Sequence, residues 1–235
     1  EVSLRKSFLR PFILMAYPTV LWSCVIYGVA LGWNVIPGAT VAQLFAPPPY
    51  DFNSSAQGLI FLSPLVGSLI GTYLCGPFAD FVANWYTKRN EGIREPEMLL
   101  PTCFIAALLT FLGALMASLS YHFKTHWSAP VVGFGVLSAG GQMGATLAMS
   151  YALDCHKEFS VELMVTIASF KSAIAWIWTW VINDWIDKDG VLVVFMVVAT
   201  VNVVAYMSTF ILYAKGKSIR IWLHETDMLG KLGLC

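Results

Sequence analysis

Most of this chain consists of apolar runs that are each about as long as a membrane is thick. A helix needs about 20 apolar residues to cross the hydrocarbon core of a bilayer. Six runs of that length can be drawn, over residues 11–33, 58–79, 98–119, 129–152, 161–182 and 191–213. Because helices satisfy their own backbone hydrogen bonds in lipid, the pattern predicts an all-α membrane protein, a bundle of six transmembrane helices. Hydrophobic residues make up 57% and charged residues 12% of the 235 positions, which excludes an ordinary soluble domain.

Basic residues are distributed unevenly between the two sides of the predicted bundle. Of the 14 Lys and Arg residues, Lys124 and Lys188 fall on one side, Lys171 falls inside a span, and all others fall on the side of the termini. Because cytoplasmic loops carry the excess of basic residues, we expect both termini to lie in the cytoplasm. Residues 214–235 are predicted to be a cytoplasmic tail, either an amphipathic helix on the inner leaflet or a disordered terminus.

The connection between the first and second runs contains three consecutive prolines at 47–49. Proline runs hold an extended path, so residues 34–56 are predicted to be a non-helical extracytoplasmic loop.

A dense block of charge separates the second and third apolar runs. Residues 76–98 are predicted to form a cytoplasmic loop, because placing their acidic and basic side chains in hydrocarbon would cost free energy. We expect Asp80 to form a charge network with Lys88 and Arg89 that holds one gating state. The candidate gating residues of this loop are Gly76, Asp80, Lys88, Arg89, Arg94, Glu95 and Glu97.

Polar side chains line one face of the first and fourth predicted spans. The fourth span is rich in glycine and carries its polar residues at intervals of four, so they share a helical face. This pattern predicts a wall that faces water, and hydrogen bonds between helices explain it equally well. The residues of the two stripes are Ser23, Tyr27 and Asn34 in the first span and Ser138, Gln142 and Thr146 in the fourth.

Lys171 is the ionisable residue that lies deepest in a predicted span. It is about ten positions from either end, and hence roughly 15 Å from each interface at 1.5 Å per residue. A lysine stem is shorter than that, so we expect Lys171 to face a partner carboxylate, a water-filled cavity or an anionic group of a substrate. Trp178 lies on the same helical face and joins it as a candidate cavity residue.

The sequence contains none of the motifs that would indicate an enzyme. It has no HExxH, no GxSxG and no CxxC pair, and its five cysteines are scattered. His122 and His126 have the spacing of a metal pair, but they lie in a short polar loop and chance explains them better. We therefore expect no enzymatic activity, no cofactor and no metal. The zero net charge and the lack of a basic patch argue against a nucleic-acid partner.

Two segments resemble a known family of transporters. Gly76 and Asp80 have the spacing that opens the GxxxD loop of the major facilitator superfamily (MFS), where this loop lies between the second and third spans of each half. The continuation KRNEGIREPEM, at 88–98, is similar to fungal transporters of the drug:proton antiporter type, including the polyamine and histidinol permease subgroup. One position departs from the pattern, since Asn84 stands where the superfamily loop has a basic residue. A second segment resembles spans ten and eleven of those proteins at Tyr151, Asp154, Glu162, Lys171, Trp185 and Gly190.

The resemblance implies that the chain is the C-terminal half of a twelve-span secondary transporter. It implies that the two polar stripes face a small organic solute, that transport is coupled to protons, and that the N-terminal six-span half is a partner beside the lipid bilayer. A multi-pass position in the plasma membrane is the implied location. The chain begins at Glu1 without a methionine, and we expect it to be a fragment. The alternative from another class is a six-span membrane scaffold or assembly protein that transports nothing.

Overall fold

A computed structural model describes residues 13–226, and every regular element in this part of the chain is helical. The long helices are joined by a π-helical turn at Leu74–Phe78 and by 3-10 turns at Pro96–Leu99 and Lys157–Phe159. In chain order, the α-helices are α1 (Pro18–Phe45), α2 (Ser54–Ile60), α3 (Leu62–Tyr73), α4 (Ala79–Arg89), α5 (Leu100–His122), α6 (Ser128–Cys155) and α7 (Ser160–Thr226).

Five helical stretches of the described chain are long and apolar enough to cross a membrane. They are Pro18–Phe45, Ser54–Arg89, Pro96–His122, Ser128–Cys155 and Lys157–Gly216. The chain is therefore an integral membrane protein with several passes, and the predicted all-α class is confirmed. The last stretch contains two of the six predicted runs, those at 161–182 and 191–213.

The chain reverses direction inside α7. Gly190 has a non-helical backbone, with φ at 82° and ψ at 159°, which glycine adopts without steric cost. Residues on both sides of it contact Trp33 of α1: the Trp178 ring lies 5.6 Å from the Trp33 ring, and Asn202 accepts a hydrogen bond of 3.1 Å from Trp33 Nε1. In a straight helix, positions 178 and 202 would be roughly 36 Å apart. Thus α7 consists of two segments that run in opposite directions, α7a (160–189) and α7b (191–226).

The predicted loop at 34–56 is wrong over its first part, because α1 continues to Phe45. Pro37 removes one hydrogen bond inside this helix. The residues after Pro37 are nevertheless held by packing, since Val41, Leu44 and Phe45 are buried in the core. The helix ends where three prolines without backbone N–H groups follow.

Helix α6 is the centre of the bundle and packs against α1, α3 and α5. Glycines allow the closest of these crossings. A Cβ at Gly67 or Gly71 of α3 would overlap with the backbone carbonyl oxygens of Gly135 and Ala139 in α6. The backbones of α3 and α6 are therefore in direct contact, as small residues permit in membrane bundles.

The predicted tail at 214–235 is described only in part. Helix α7b continues through it as far as Thr226, and the rest of the tail lies outside the described residues.

Candidate functional site

The polar face of α6 makes its firmest contact with α1. Ser138 donates a hydrogen bond of 2.7 Å to Oδ1 of Asn34, and Ser138 is buried. The Asn34 amide nitrogen would also lie 3.2 Å from a Cβ built at Gly141, so its side chain lies against the α6 backbone. At this level of the bundle the two predicted stripes meet each other, and they hold α1 and α6 together.

One turn further along α6, Gln142 and Thr146 are half-buried and bond mainly to their own helix. The Thr146 hydroxyl donates to the Gln142 carbonyl at 3.0 Å, and Gln142 Nε2 lies 3.4 Å from the same hydroxyl. Tyr27 of α1 is also half-buried. These three side chains carry hydrogen-bonding groups and are not fully buried, which is the chemistry needed to bind a polar solute.

Ser23 is placed differently from the other predicted cavity residues. It is fully buried, and its hydroxyl donates to the Thr19 carbonyl at 3.0 Å, within α1 itself. The structure does not bring Ser23 together with the half-buried polar residues of the first and fourth spans.

Lys171 is half-buried on α7a and forms no ion pair with any residue in the described range. Trp178, two turns along, belongs to a column of indole rings. It stacks on Trp185 with ring centroids 6.2 Å apart and planes 9° apart, and its other neighbour is Trp33. Trp33 is 1% exposed and was not among the predicted site residues, because an apolar run gives no sign of which tryptophan faces inward.

The predicted charge network is wrong in its basic partner. Asp80 pairs with Arg94, with 2.8 Å between Oδ1 and Nη2. Asp80 lies in the first turn of α4 and Lys88 and Arg89 in its last, which is a separation of roughly 12 Å along the helix. Arg89 instead lies 3.7 Å above the ring of Trp85, a cation–π contact. The predicted loop thus contains helix α4, which is followed by a short return.

Positive φ values make that return possible. Glu91 has φ at 53° and Gly92 at 84°, and the chain doubles back to bring Arg94 beside Asp80. Glu95 is half-buried near the end of this return.

Glu97, one of the predicted gating residues of this loop, is 7% exposed. Its carboxylate faces Gly216 of α7b: a Cβ built there would lie 2.8 Å from Glu97 Oε1 and 3.2 Å from the Tyr151 hydroxyl. Glu97 therefore lies where the start of α5, the end of α6 and α7b meet. Sequence reasoning missed Gly216, whose lack of a side chain lets this carboxylate lie close to the backbone of α7b.

Several known fungal proteins are similar to this chain. An uncharacterized MFS-type transporter of Schizosaccharomyces pombe is 23% identical over 224 residues, which are 94% of this chain and 39% of the relative. Protein HOL1 of Saccharomyces cerevisiae is 26% identical over 217 residues, 92% of this chain and 36% of the relative. A probable efflux pump, mfs2 of Aspergillus flavus, is 23% identical over 92% of this chain and 52% of its own length.

The chain is similar to fungal MFS-type transporters. It spans less than two fifths of the length of the first two of these relatives. No protein-family model and no solved structure matches it. The similarity to MFS-type proteins covers nearly the whole chain, so it extends over the segments that carry the polar face of α6 and the Asp80–Arg94 ion pair.

The segment that resembles the MFS gating loop begins with a π-helical turn, Leu74–Phe78, which contains Gly76 and Pro77. Such turns are rare and occur frequently at functional sites. Within it, Cys75 lies beside Thr146 on the polar face of α6, against which the turn packs. The turn thus lies between α3, whose glycines touch the α6 backbone, and α4, which carries Asp80. Proline after glycine in an apolar run was the available sign of this irregularity.

At the opposite end of the bundle, polar contacts join α1 to α7a, and the loop after α1 to the loop after α5. Gln43 Nε2 donates to Oδ1 of Asp187, and the Tyr50 hydroxyl donates to the Thr125 carbonyl at 3.1 Å. Burial, with a smaller effect of Tyr121, raises the pKa of Tyr50, so its hydroxyl stays protonated and can donate. These contacts hold the outer ends of the helices together.

Proposed function

We propose that the chain is the C-terminal, six-span half of an MFS transporter that moves a small organic solute across the membrane. The observation that carries this proposal is the similarity to fungal MFS-type transporters over 92–94% of the chain. The reversal at Gly190 supports six spans, because α7a and α7b each exceed the roughly 20 residues that a crossing requires. The scaffold alternative has no observation in its favour.

The proposal includes an N-terminal half as the partner of this chain. Its support is the length of the relatives, of which the chain covers 39% and 36%. It also includes proton coupling of the antiporter type, which rests on the resemblance of residues 88–98. This chain has no acidic residue at the centre of its predicted spans, so the proton-carrying carboxylates would belong to the other half. A plasma-membrane location with both termini in the cytoplasm completes the proposal.

In this proposal, the solute contacts the half-buried polar side chains of α1, α6 and α7a. Tyr27, Gln142 and Thr146 supply hydrogen-bonding groups, and Lys171 supplies a positive charge for an anionic group of the solute or for a carboxylate of the partner half. The lack of an ion pair to Lys171 within the described residues supports this role. Desolvating an unpaired lysine is costly, so a partner is required.

The Asp80–Arg94 ion pair holds one gating state of the transporter. Its support is the position of Asp80 in the first turn of α4, directly after the π-helical turn that separates α4 from α3. The π-helical turn packs against α6, with Cys75 beside Thr146, so a shift of the solute face would also move the start of α4 and the ion pair.

The experiment is a transport assay on the full-length protein that contains this chain, expressed in a yeast strain without its own solute exporters. Cells are exposed to a panel of radiolabelled organic cations, anions and zwitterions, and accumulation is compared with that of an empty-vector strain. We expect accumulation of at least one solute to change, and the Gln142→Ala variant to lose this change while reaching the membrane in normal amount. Unchanged accumulation of every solute would favour the scaffold alternative.

A further inference from the structure

A stripe of buried polar side chains runs along α7b, on a face that the proposed solute cavity does not use. Asn202, Tyr206 and Thr209 follow at spacings of four and three residues and therefore share one side of the helix. Their exposed fractions are 0%, 2% and 0%. Each has a polar atom without a hydrogen-bond partner among the described residues, and these atoms are Asn202 Nδ2, Tyr206 OH and Thr209 Oγ1.

Neighbouring helices fix the position of this stripe inside the bundle. Trp33 Nε1 donates to Asn202 Oδ1, which leaves the amide nitrogen of Asn202 as a donor. The Tyr206 hydroxyl lies so close to Gly144 of α6 that a Cβ there would overlap with it. Ala106 of α5 lies 3.6 Å from the same Cβ position. The stripe is therefore enclosed by α1, α5 and α6 and cannot reach bulk solvent.

Buried polar groups in native proteins are hydrogen-bonded either to protein or to ordered water. Consecutive members of the stripe are separated by roughly 4.5–6 Å of helical rise. The free polar atoms of the stripe form no hydrogen bond with one another, and two bonds through one water cover about 5.5 Å, which is comparable to this rise. A buried water needs two to four polar partners, and adjacent members of the stripe supply them.

We propose that this face of α7b is a binding site for ordered water molecules, which bridge Asn202, Tyr206 and Thr209 inside the bundle. The site is independent of the proposed transport function. Water-mediated bonds can be exchanged without leaving a buried group unsatisfied. Helix α7b can then shift against α1 and α6 while its polar face remains hydrogen-bonded.

The test is X-ray radiolytic labelling of the full-length protein in nanodiscs, in which hydroxyl radicals formed from bound water oxidise the adjacent side chains. Phe195 of α7b is the internal control, because it is an aromatic residue at 1% exposure and packs on Phe134. We expect oxidation of Tyr206 and no oxidation of Phe195. The variant Asn202→Leu should lose the Tyr206 label, since it removes one anchor of the shared water.

If Asn202→Leu does not fold, Thr209→Val keeps the shape of the side chain, removes the other anchor and should lower the same label. Oxidation of Tyr206 at the level of Phe195 would overturn the proposal. A Tyr206 label that neither variant changes would also overturn it, because the water would then not be shared along the stripe.

Discussion

For the Asp80–Arg94 ion pair, the sequence identified one residue as a member of the pair but not the other. Asp80 was identified from its GxxxD spacing, but its partner was not, because pairing over fourteen positions depends on how the chain returns after α4. Both side chains are largely in water, at 59% exposure for Asp80 and 48% for Arg94. A pair so exposed contributes about 0–1 kcal/mol to stability. Its importance would therefore lie in gating rather than in folding.

Replacement of Arg94 by glutamine should accordingly change transport more than stability. Loss of the pair removes up to about 1 kcal/mol from one gating state and shifts the gating equilibrium by up to about fivefold. Lys88→Gln is the matched control, because Lys88 is an exposed base of the same segment and is not paired with Asp80. The measurements are the uptake rates and the melting temperatures of the two variants, and we expect only the uptake rate to differ between them. Equal uptake rates in both would show that Arg94 has no special role.

Gly144 is a second position at which a single added carbon atom should change the stability of the protein. A methyl group there would overlap with the Tyr206 hydroxyl. We expect Gly144→Ala to lower the free energy of unfolding by about 1–3 kcal/mol, as overpacking does in well-packed interiors. Gly38→Ala is the matched control, since a Cβ there meets nothing within 4 Å, and it should not destabilise the protein. Thermal unfolding in detergent compares them, and equal melting temperatures would contradict the packing described for α6 and α7b.

At the scale of whole helices, apolar run length predicted most of the elements but not their ends. Helix α1 passes through Pro37 because buried residues beyond it outweigh the lost hydrogen bond, and packing of that kind is invisible in a local pattern. The charged block at 76–98 was predicted as loop from its polarity, yet α4 needs only one buried face to be stable, which Ala79 and Ala83 supply. Apart from Gly76 and Pro77, no sequence pattern predicts the π-helical turn at Leu74–Phe78.

Gly190 divides α7, and its replacement tests that division. Its φ of 82° and ψ of 159° lie in a region that is essentially restricted to glycine. We expect Gly190→Ala to lower the free energy of unfolding by about 1–3 kcal/mol even though the added methyl group would contact nothing. Gly38→Ala again serves as the control, as a glycine inside a regular helix. A Gly190→Ala variant as stable as the wild type would mean that the backbone at 190 is not held in this conformation.

For the whole molecule, the six apolar runs and the reversal at Gly190 favour an even number of crossings. The folded structure was needed to tell which polar residues join helices and which remain partly accessible. Ser138 and Asn34 form a hydrogen bond between α6 and α1, whereas Gln142 remains half-buried. Sequence periodicity places Ser138 and Gln142 on one face of α6 and Asn34 on a polar stripe of α1, but it does not determine what packs over each of them. For the same reason, periodicity could not separate Ser23 from Tyr27.

Single cysteines in a cysteine-free background test the crossings. Thr125→Cys and Lys188→Cys should react with an impermeant thiol reagent added outside intact cells. Asn90→Cys and Glu158→Cys should react only after the cells are opened, because these exposed positions lie at the other end of the bundle. If α7 crossed the membrane once without reversing, Lys188 would lie within the lipid and its cysteine would not react from either side.

The most direct test of the central claim, that α6 presents a polar face to a water-filled solute path, is the reactivity of a cysteine at Gln142. The comparison is with Met143→Cys, one residue away and 0% exposed, in the same cysteine-free full-length protein. We predict that Gln142→Cys reacts with a small, water-soluble thiol reagent in membranes and that Met143→Cys does not. A Gln142→Cys variant that stays unreactive under every condition, with or without solute and from both sides of the membrane, would contradict the account.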